Sequence, residues 1–254
     1  MSIDLTSDTA PRRRSRVTIF ILTALVLLSI AALLALGTWQ VKRLSWKLDL
    51  IARVDARVHA DPVAPPTMPA WGSVNPQDDE YRHVRVNGRF LNARETLVYA
   101  STALGPGAWV MTPLKLSDGT TIIINRGFVP TDKRDVVTRS AGNLEGDTTV
   151  TGLLRMTEPK GSLLQANLPS ENRWYSRDVA AMAETHRLGQ TAPYFIDADA
   201  TLNRGGLPLG GLTVVKFPNS HLVYAITWYA LAAMLAGAMI FVVRRERRGH
   251  PAGS

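Results

Sequence analysis

Two long apolar runs near the ends of the chain constrain its fold more than any other feature. Val17 to Gly37 and Leu222 to Val243 contain no charged side chain. Because an α-helix rises about 1.5 Å per residue, a run of about 20 residues crosses a hydrocarbon core of about 30 Å. Both runs therefore predict transmembrane helices, and the polar segment between them must lie on one side of the membrane.

The first run has an alternative interpretation as a cleavable signal peptide, because four arginines precede it. Its apolar stretch is longer than the roughly 7–15 residues of a signal-peptide core, and it continues directly into Trp39 and Lys42. A mitochondrial presequence is disfavoured by Asp4 and Asp8, since such peptides avoid acidic residues. We therefore expect a retained membrane helix.

Arginine residues also predict the orientation of the chain. Four precede the first run and four follow the second: Arg12, Arg13, Arg14, Arg16, Arg244, Arg245, Arg247 and Arg248. By the positive-inside rule both termini face the cytoplasm, and the middle faces outward, into the periplasm of a Gram-negative cell. Lys42, Arg43 and Lys47 on the outer flank of the first run oppose this orientation, whereas the second run has only Lys216 on its outer side.

Composition excludes several classes of function. The net charge of +8 lies mostly in the two tails, where eight arginines meet only three acidic residues and suit anionic lipid headgroups. No basic stripe with interleaved aromatic residues predicts nucleic-acid binding. Cysteine is absent, which excludes a thiol nucleophile, an iron–sulfur cluster and any Cys-based metal site.

The segment between the runs begins with helical periodicity. From Trp39 to Val58 apolar residues recur at three- and four-residue steps, so the first helix is predicted to continue beyond the membrane. Prolines that follow Asp61 end this helix and begin a linker that extends to about Asp79.

The period then changes to two, which is typical of strands. Strands are predicted at Val84–Phe90, Thr96–Ala100, Ala108–Leu116, Thr120–Val129, Thr148–Arg155, Tyr194–Asp197 and Leu212–Phe217. Asp118-Gly119 between two apolar runs predicts a hairpin. One helix is predicted near Asp178–His186, closed by Leu188-Gly189. Because no long helices separate the strands, we expect a mainly antiparallel sheet or partly closed barrel.

The predicted fold class is a membrane protein in which two transmembrane α-helices flank an extracytoplasmic, mainly antiparallel β (α+β) domain. The predicted boundaries are 1–16 for the cytoplasmic N-terminal tail, 17–37 for the first transmembrane helix, 38–216 for the extracytoplasmic domain, 217–243 for the second helix with the segment before it, and 244–254 for the cytoplasmic C-terminal tail.

Small residues predict that the two membrane helices pack together. Ala31 and Ala35 on the first run, and Ala232 and Ala236 on the second, have the small-xxx-small spacing that lets helix backbones approach closely. Alanine richness without any packing role is the alternative.

Motifs for catalysis are missing from the sequence. It contains no Gly-x-Ser-x-Gly, no His-Glu-x-x-His and no Gly-x-x-x-x-Gly-Lys, so we expect no enzyme. No two histidines lie three or four residues apart, which disfavours a dedicated copper or zinc site. His221 stands at the outer end of the second run, on one helix face with Tyr224 and Trp228. It is either an interfacial residue like these aromatics or a ligand.

Arg126 follows three isoleucines in a predicted strand. A guanidinium beside buried β-branched residues needs a partner, because burying an unpaired charge is costly. We predict a structural ion pair or a clamp on backbone carbonyls in preference to a ligand contact.

Four segments together resemble the Surfeit locus protein 1 family, the cytochrome c oxidase assembly factors. They are Gly37–Arg43, Asn125–Pro130, Gly206–Gly211 and Asn219–Tyr229. The resemblance extends from about Leu36 to Ala232, and the order of the segments makes it specific. Phe128 departs from the family, which commonly has tryptophan there.

The resemblance implies a non-enzymatic helper in the maturation of the haem a and copper core of the oxidase's largest subunit. Its implied partners are the membrane, that subunit and haem a synthase, and its implied location is the cell inner membrane. His221 in the Asn-x-His-Leu motif is the implied iron ligand of haem a. The other expected cofactor-binding residues are Trp39, Tyr224 and Trp228 beside the porphyrin, and Arg43 and Lys216 near the propionates. A cofactor-free scaffold for oxidase subunits is the alternative function.

Overall fold

The two apolar runs form long helices in a computed structural model, which describes residues 16–162, 164–215 and 217–248. Its α-helices are α1 (Arg16–Val58), α2 (Val179–Thr185) and α3 (His221–Arg248). Helices α1 and α3 are each long and apolar enough to cross a membrane. The predicted continuation of the first helix to Val58 is confirmed. The chain divides into two units, Met1–Leu50 with Phe217–Ser254, and Ile51–Lys216.

The first unit is an antiparallel pair formed by α1 and α3. The less exposed residues of both helices recur at alternating three- and four-residue steps, which is the spacing of helices that pack side by side. We call these residues the helix seam: Val26, Ile30, Leu33, Gly37 and Gln40 on α1, and His221, Ala225, Trp228, Ala232, Leu235 and Met239 on α3.

Gly37 gives the closest approach between the two helices. It is buried, and a Cβ atom at this position would lie 2.8 Å from the ring of Tyr229. The hydroxyl groups of Thr38 and Tyr229 lie 3.1 Å apart and share a hydrogen bond. The expectation that Ala31 and Ala35 carry the packing is wrong, since both are exposed: the seam runs through neighbouring positions of the helix instead.

The second unit is built on a six-stranded sheet. Its strands are β1 (His83–Phe90), β2 (Thr96–Thr102), β3 (Gly105–Lys115), β4 (Thr121–Pro130), β5 (Asp147–Met156) and β6 (Thr191–Ala198). They lie in the order β1-β5-β6-β4-β3-β2, and every neighbouring pair is antiparallel except β4 and β6. The C-terminal ends of β1 and β3 also pair, at Arg89–Lys115 and Phe90–Leu114. This pairing closes five strands into a barrel, and β2 lies outside it. The predicted central β-rich domain is thus confirmed.

Local sequence explains these elements. β4 is buried at nine of its ten residues, and the three consecutive isoleucines that it contains are typical of a strand covered on both faces. At the hairpin before it, Asp118 accepts hydrogen bonds from the Thr120 backbone and hydroxyl, and Gly119 adopts a φ of +83°. Asp178 caps α2 by accepting from the amide of Ala181 at 3.1 Å. The predicted hairpin and central helix are both confirmed.

The predicted strand at Leu212–Phe217 is wrong: the described residues of this segment form no strand. Backbone pairing occurs earlier, where Leu209 and Phe128 exchange both of their backbone hydrogen bonds. Gly211, with a φ of +72°, then turns the chain, and the Thr213 hydroxyl donates a hydrogen bond to Asp197 at 2.9 Å. Phe128 itself is buried and packs edge-on against Trp109, with ring centroids 6.0 Å apart.

Candidate functional site

The candidate site lies at the end of the helix pair where α3 begins. His221 is the first residue of α3 and is half-buried in the helix seam. Its Nδ1 atom lies 2.8 Å from the side-chain oxygen of Gln40, at hydrogen-bond distance. Within the described chain its other ring nitrogen, Nε2, makes no hydrogen bond. The imidazole is thus engaged on one side only.

The segment before His221 fixes the start of the helix. The Asn219 side-chain oxygen accepts from the His221 backbone amide at 3.4 Å, and the first helical hydrogen bond runs from the Tyr224 amide to the Ser220 carbonyl, at 3.2 Å. Asparagine commonly forms such a turn with the amide two residues further on, and here its side chain satisfies an amide that has no helical partner. Asn219 in the Asn-x-His-Leu motif therefore has a local structural role.

The other predicted cofactor residues fall into two groups. Trp228 is half-buried and shares the seam face of α3 with His221. Tyr224 is 52% exposed and Trp39 is 53% exposed, so both point away from the seam. Arg43 is exposed on α1, one turn after Trp39, and its guanidinium carbon lies 5.0 Å from the centroid of the Trp46 ring.

Contact with a porphyrin stays a prediction for all five residues, and exposed aromatic side chains such as Trp39 and Tyr224 would also suit the headgroup zone of a membrane. Lys216, the second basic residue expected near the propionates, lies outside the described residues. The donor set at this end of the helix pair does fit haem iron, because one neutral imidazole with a free nitrogen is sufficient as an axial ligand.

A second polar cluster lies in the β-domain, around Asp197 of β6. This carboxylate is 4% exposed and receives four hydrogen bonds. The donors are Asn125 Nδ2 at 2.7 Å, Arg155 Nη1 at 2.9 Å, Thr213 Oγ1 at 2.9 Å and Arg177 Nη1 at 3.3 Å. A cavity of about 230 Å³ adjoins the cluster.

Both arginines of the Asp197 cluster have further acidic partners. Arg155 donates from Nε to Glu80 at 2.7 Å, and Arg177 binds both carboxylate oxygens of Glu158. Burial raises the pKa of Glu158, but hydrogen bonding and charge from Arg177 outweigh it, so that the pKa of Glu158 lies below its ordinary value. Asp197, whose two oxygen atoms already accept four hydrogen bonds, therefore stabilises the fold and has no free lone pair for a ligand.

Arg126 occupies a third polar position, inside the barrel. It is 2% exposed, its Nη2 atom donates to the Gly142 carbonyl and to Asn203 Oδ1, and its guanidinium lies 4.7 Å from the centroid of the Phe90 ring. Burial lowers the pKa of Arg126. The predicted carbonyl clamp is confirmed, and none of the described carboxylates forms an ion pair with it.

The sequence singled out His221 as a candidate but gave no prediction for Gln40. The signal available was weak: Gln40 is a polar residue one turn after Gly37, at the end of an apolar run, and inside one of the segments that carry the family resemblance. Asp197 and its arginines were also missed, although an acidic residue at the end of an apolar strand is the pattern of a buried ionic contact.

Comparisons with known proteins match parts of both long helices and the whole sheet. The model of the SURF1 family, which is known for cytochrome c oxidase assembly, matches residues 27–233. Surfeit locus protein 1 of Rattus norvegicus is 40% identical over 219 residues, which cover 80% of this chain and 69% of that protein. The Homo sapiens protein of the same name is 38% identical over 231 residues, 84% of this chain and 74% of that protein. A SURF1-like protein of Monosiga brevicollis is 37% identical over 223 residues, with 83% of each covered.

Proposed function

Since the chain belongs to the SURF1 family, we propose that it is a non-enzymatic assembly factor for cytochrome c oxidase, which binds haem a and aids its insertion into the largest subunit. The observation that supports the haem-binding part is the geometry of His221. A histidine at the mouth of a membrane helix, bonded through Nδ1 and open at Nε2, has the chemistry of an axial haem ligand.

The residues of the helix pair would hold the haem as follows. His221 supplies the nitrogen for the iron, and Trp228 beside it on the seam face offers an apolar contact. Arg43 supplies a cation for a propionate, and Trp39 and Tyr224 offer exposed aromatic surface. When bound, haem a supplies the redox-active iron that the oxidase needs, and the role of this chain is to bind and orient it.

A cofactor-free scaffold remains the second candidate, because one observation favours it. The hydrogen bond between His221 and Gln40 joins α1 to α3 and could serve packing alone. In that case the histidine would stabilise the helix pair and the oxidase subunits would bind elsewhere on the protein.

The Soret spectrum of the purified full chain separates these candidates. The protein is expressed together with the haem a synthesis enzymes, and we expect a Soret band that His221→Ala abolishes while the protein still inserts and accumulates. His59→Ala is the matched control, since His59 is a largely exposed histidine in the second unit. Full haem occupancy in His221→Ala would refute the ligand assignment and favour the scaffold.

We also propose that the protein lies in the cell inner membrane with both termini cytoplasmic and the β-domain periplasmic. The arginines that end α3 support this orientation. Alkaline phosphatase, which is active only outside the cytoplasm, should be active when fused after Gly142 and silent when fused after Gly253. The opposite pattern would show that the orientation is inverted.

The proposed partners are the largest oxidase subunit and haem a synthase, both in the same membrane. Co-purification in mild detergent tests them one at a time. We expect the largest subunit to co-purify with the wild-type chain, and haem a synthase to do so when haem a is being made.

A further inference from the structure

We infer that Gln40 is a positioning residue for His221: its side-chain oxygen selects the ring tautomer that leaves Nε2 free to ligate iron. This inference rests on the proposed haem-binding function for its purpose. The contact itself is a feature of the helix pair and needs no haem to be present.

The tautomer follows from the chemistry of the two partners. Gln40 Oε1 is an amide oxygen, which accepts hydrogen bonds and cannot donate them. With the amide turned so that Oε1 faces the ring at 2.8 Å, as in this structure, His221 Nδ1 carries the proton. A neutral imidazole has a single N–H group, so the proton on Nδ1 leaves the lone pair on Nε2. Iron binds a histidine through such a lone pair.

The distance between Gln40 and His221 is fixed by packing nearby. Gly37 lies one turn before Gln40, and its missing side chain lets the ring of Tyr229 contact α1 directly. This close approach sets the register of α1 against α3 two turns along α3 from His221. The ring is thus held in place before any ligand binds, which is how a supporting residue orients a metal ligand.

The second nitrogen of a metal-bound histidine almost always donates to an acceptor, and loss of that acceptor lowers affinity by about 10–100-fold. Gln40→Leu keeps the size of the side chain and removes the acceptor, so we expect haem a affinity to fall within that range. Gln40→Glu keeps an acceptor and makes it stronger, so haem should be retained. The more basic imidazole should then lower the reduction potential of the iron relative to the wild type.

The first measurement uses the full chain in detergent without haem. Nitrogen-15 spectra of histidine-labelled protein at pH 8 report which ring nitrogen carries the proton. We expect His221 to be protonated on Nδ1 in the wild type and in Gln40→Glu, and to shift toward the Nε2–H form in Gln40→Leu. Thr38→Val is the matched control, because it removes the neighbouring interhelical hydrogen bond and should leave the tautomer unchanged.

The second measurement is a Soret titration of the same variants with purified haem a. Weaker binding in Gln40→Leu, with wild-type binding in Thr38→Val, would support the inference. Equal losses in both variants would show that Gln40 acts only through helix packing and would overturn it. A wild-type ring protonated on Nε2 would also overturn it, since Nδ1 would then be the acceptor. If the tautomer is as expected but the wild type binds no haem, the proposed function fails while control of the tautomer by Gln40 is upheld.

Discussion

Asp197 and His221 are both polar groups held by side-chain hydrogen bonds, but they differ in how completely their hydrogen-bonding capacity is used. Asp197 is 4% exposed and receives four hydrogen bonds, two of them from arginines. His221 is half-buried and uses one of its two ring nitrogens. A saturated buried group stabilises the fold, whereas an accessible group with an unused lone pair is available to a ligand.

Arg126 shows that an unused atom alone does not make a site. Among the described residues its Nε and Nη1 atoms have no hydrogen-bond partner, and although a cavity of about 150 Å³ adjoins the residue, Arg126 is only 2% exposed. Buried donors without partners lower stability, and Arg126 differs from His221 in its access to solvent. The polar groups of the β-domain and of the helix pair thus differ in solvent access as well as in how many of their hydrogen-bonding atoms have partners.

The largest expected effect is that of Asp197→Ala on folding. Removing the carboxylate leaves Arg155 and Arg177 short of a buried partner, and breaking a buried ion pair typically costs about 3–5 kcal/mol. Denaturant unfolding of the purified chain, followed by tryptophan fluorescence, measures the loss. Asp132→Ala is the control: this aspartate is exposed, and the change should stay within about 0.5 kcal/mol. A loss below about 1 kcal/mol for Asp197→Ala would contradict the structural role of the cluster.

Arg126→Ala should destabilise the β-domain by a smaller amount, about 2–3 kcal/mol. The variant leaves a cavity against Phe90 and removes the donor to the Gly142 carbonyl, but it also relieves the burial of an unpaired charge. Arg126→Met fills the cavity without a charge and should be more stable than Arg126→Ala in the same unfolding experiment. If stability is unchanged in Arg126→Ala while oxidase activity is lost, the ligand interpretation of Arg126 is the better one.

His221→Ala should have a smaller effect on stability than either change in the β-domain. Without haem it loses one hydrogen bond between α1 and α3, and bonds of this kind between membrane helices average about 0.6 kcal/mol. Thermal unfolding of the haem-free protein in detergent should therefore give nearly the wild-type midpoint. A variant that fails to accumulate in the membrane would show that His221 is needed for helix packing, as the scaffold function requires.

The elements that local patterns specify were predictable from the sequence. The β-branched runs, the Asp118-Gly119 turn and the length of α1 each depend on residues close together in the chain. The last predicted strand failed because its apolar alternation could not show that Gly211 turns the chain away after the pairing at Leu209. The alternation of apolar residues also could not predict that the Thr213 side chain would bind Asp197 where a strand would have had backbone hydrogen bonds.

The side-chain contacts of the candidate site and of the Asp197 cluster join residues that are far apart in the chain. Gln40 and His221 are 181 residues apart, and their meeting depends on the register of α1 against α3, which no local pattern encodes. Asn125 and Asp197, 72 residues apart, meet only because β4 and β6 are parallel neighbours. The family resemblance pointed to His221, but its hydrogen-bond partner Gln40 could be identified only from the structure.

The smallest expected effect is the acid dependence of the Asp197 cluster, through Glu158. Its pKa in the folded protein lies below the ordinary value of 4.5, since the bonds from Arg177 outweigh burial. The stabilisation is therefore complete above the unfolded pKa and is lost as the pH falls through the folded pKa. Glu158→Gln should be less stable than the wild type at pH 7, and the gap should narrow below about pH 4.5. Unfolding midpoints measured from pH 7 to pH 3 test this, with Glu171→Gln as the control because its ion pair with Arg173 is exposed. A gap that is constant with pH would show that Glu158 contributes through packing and that its charge is not involved.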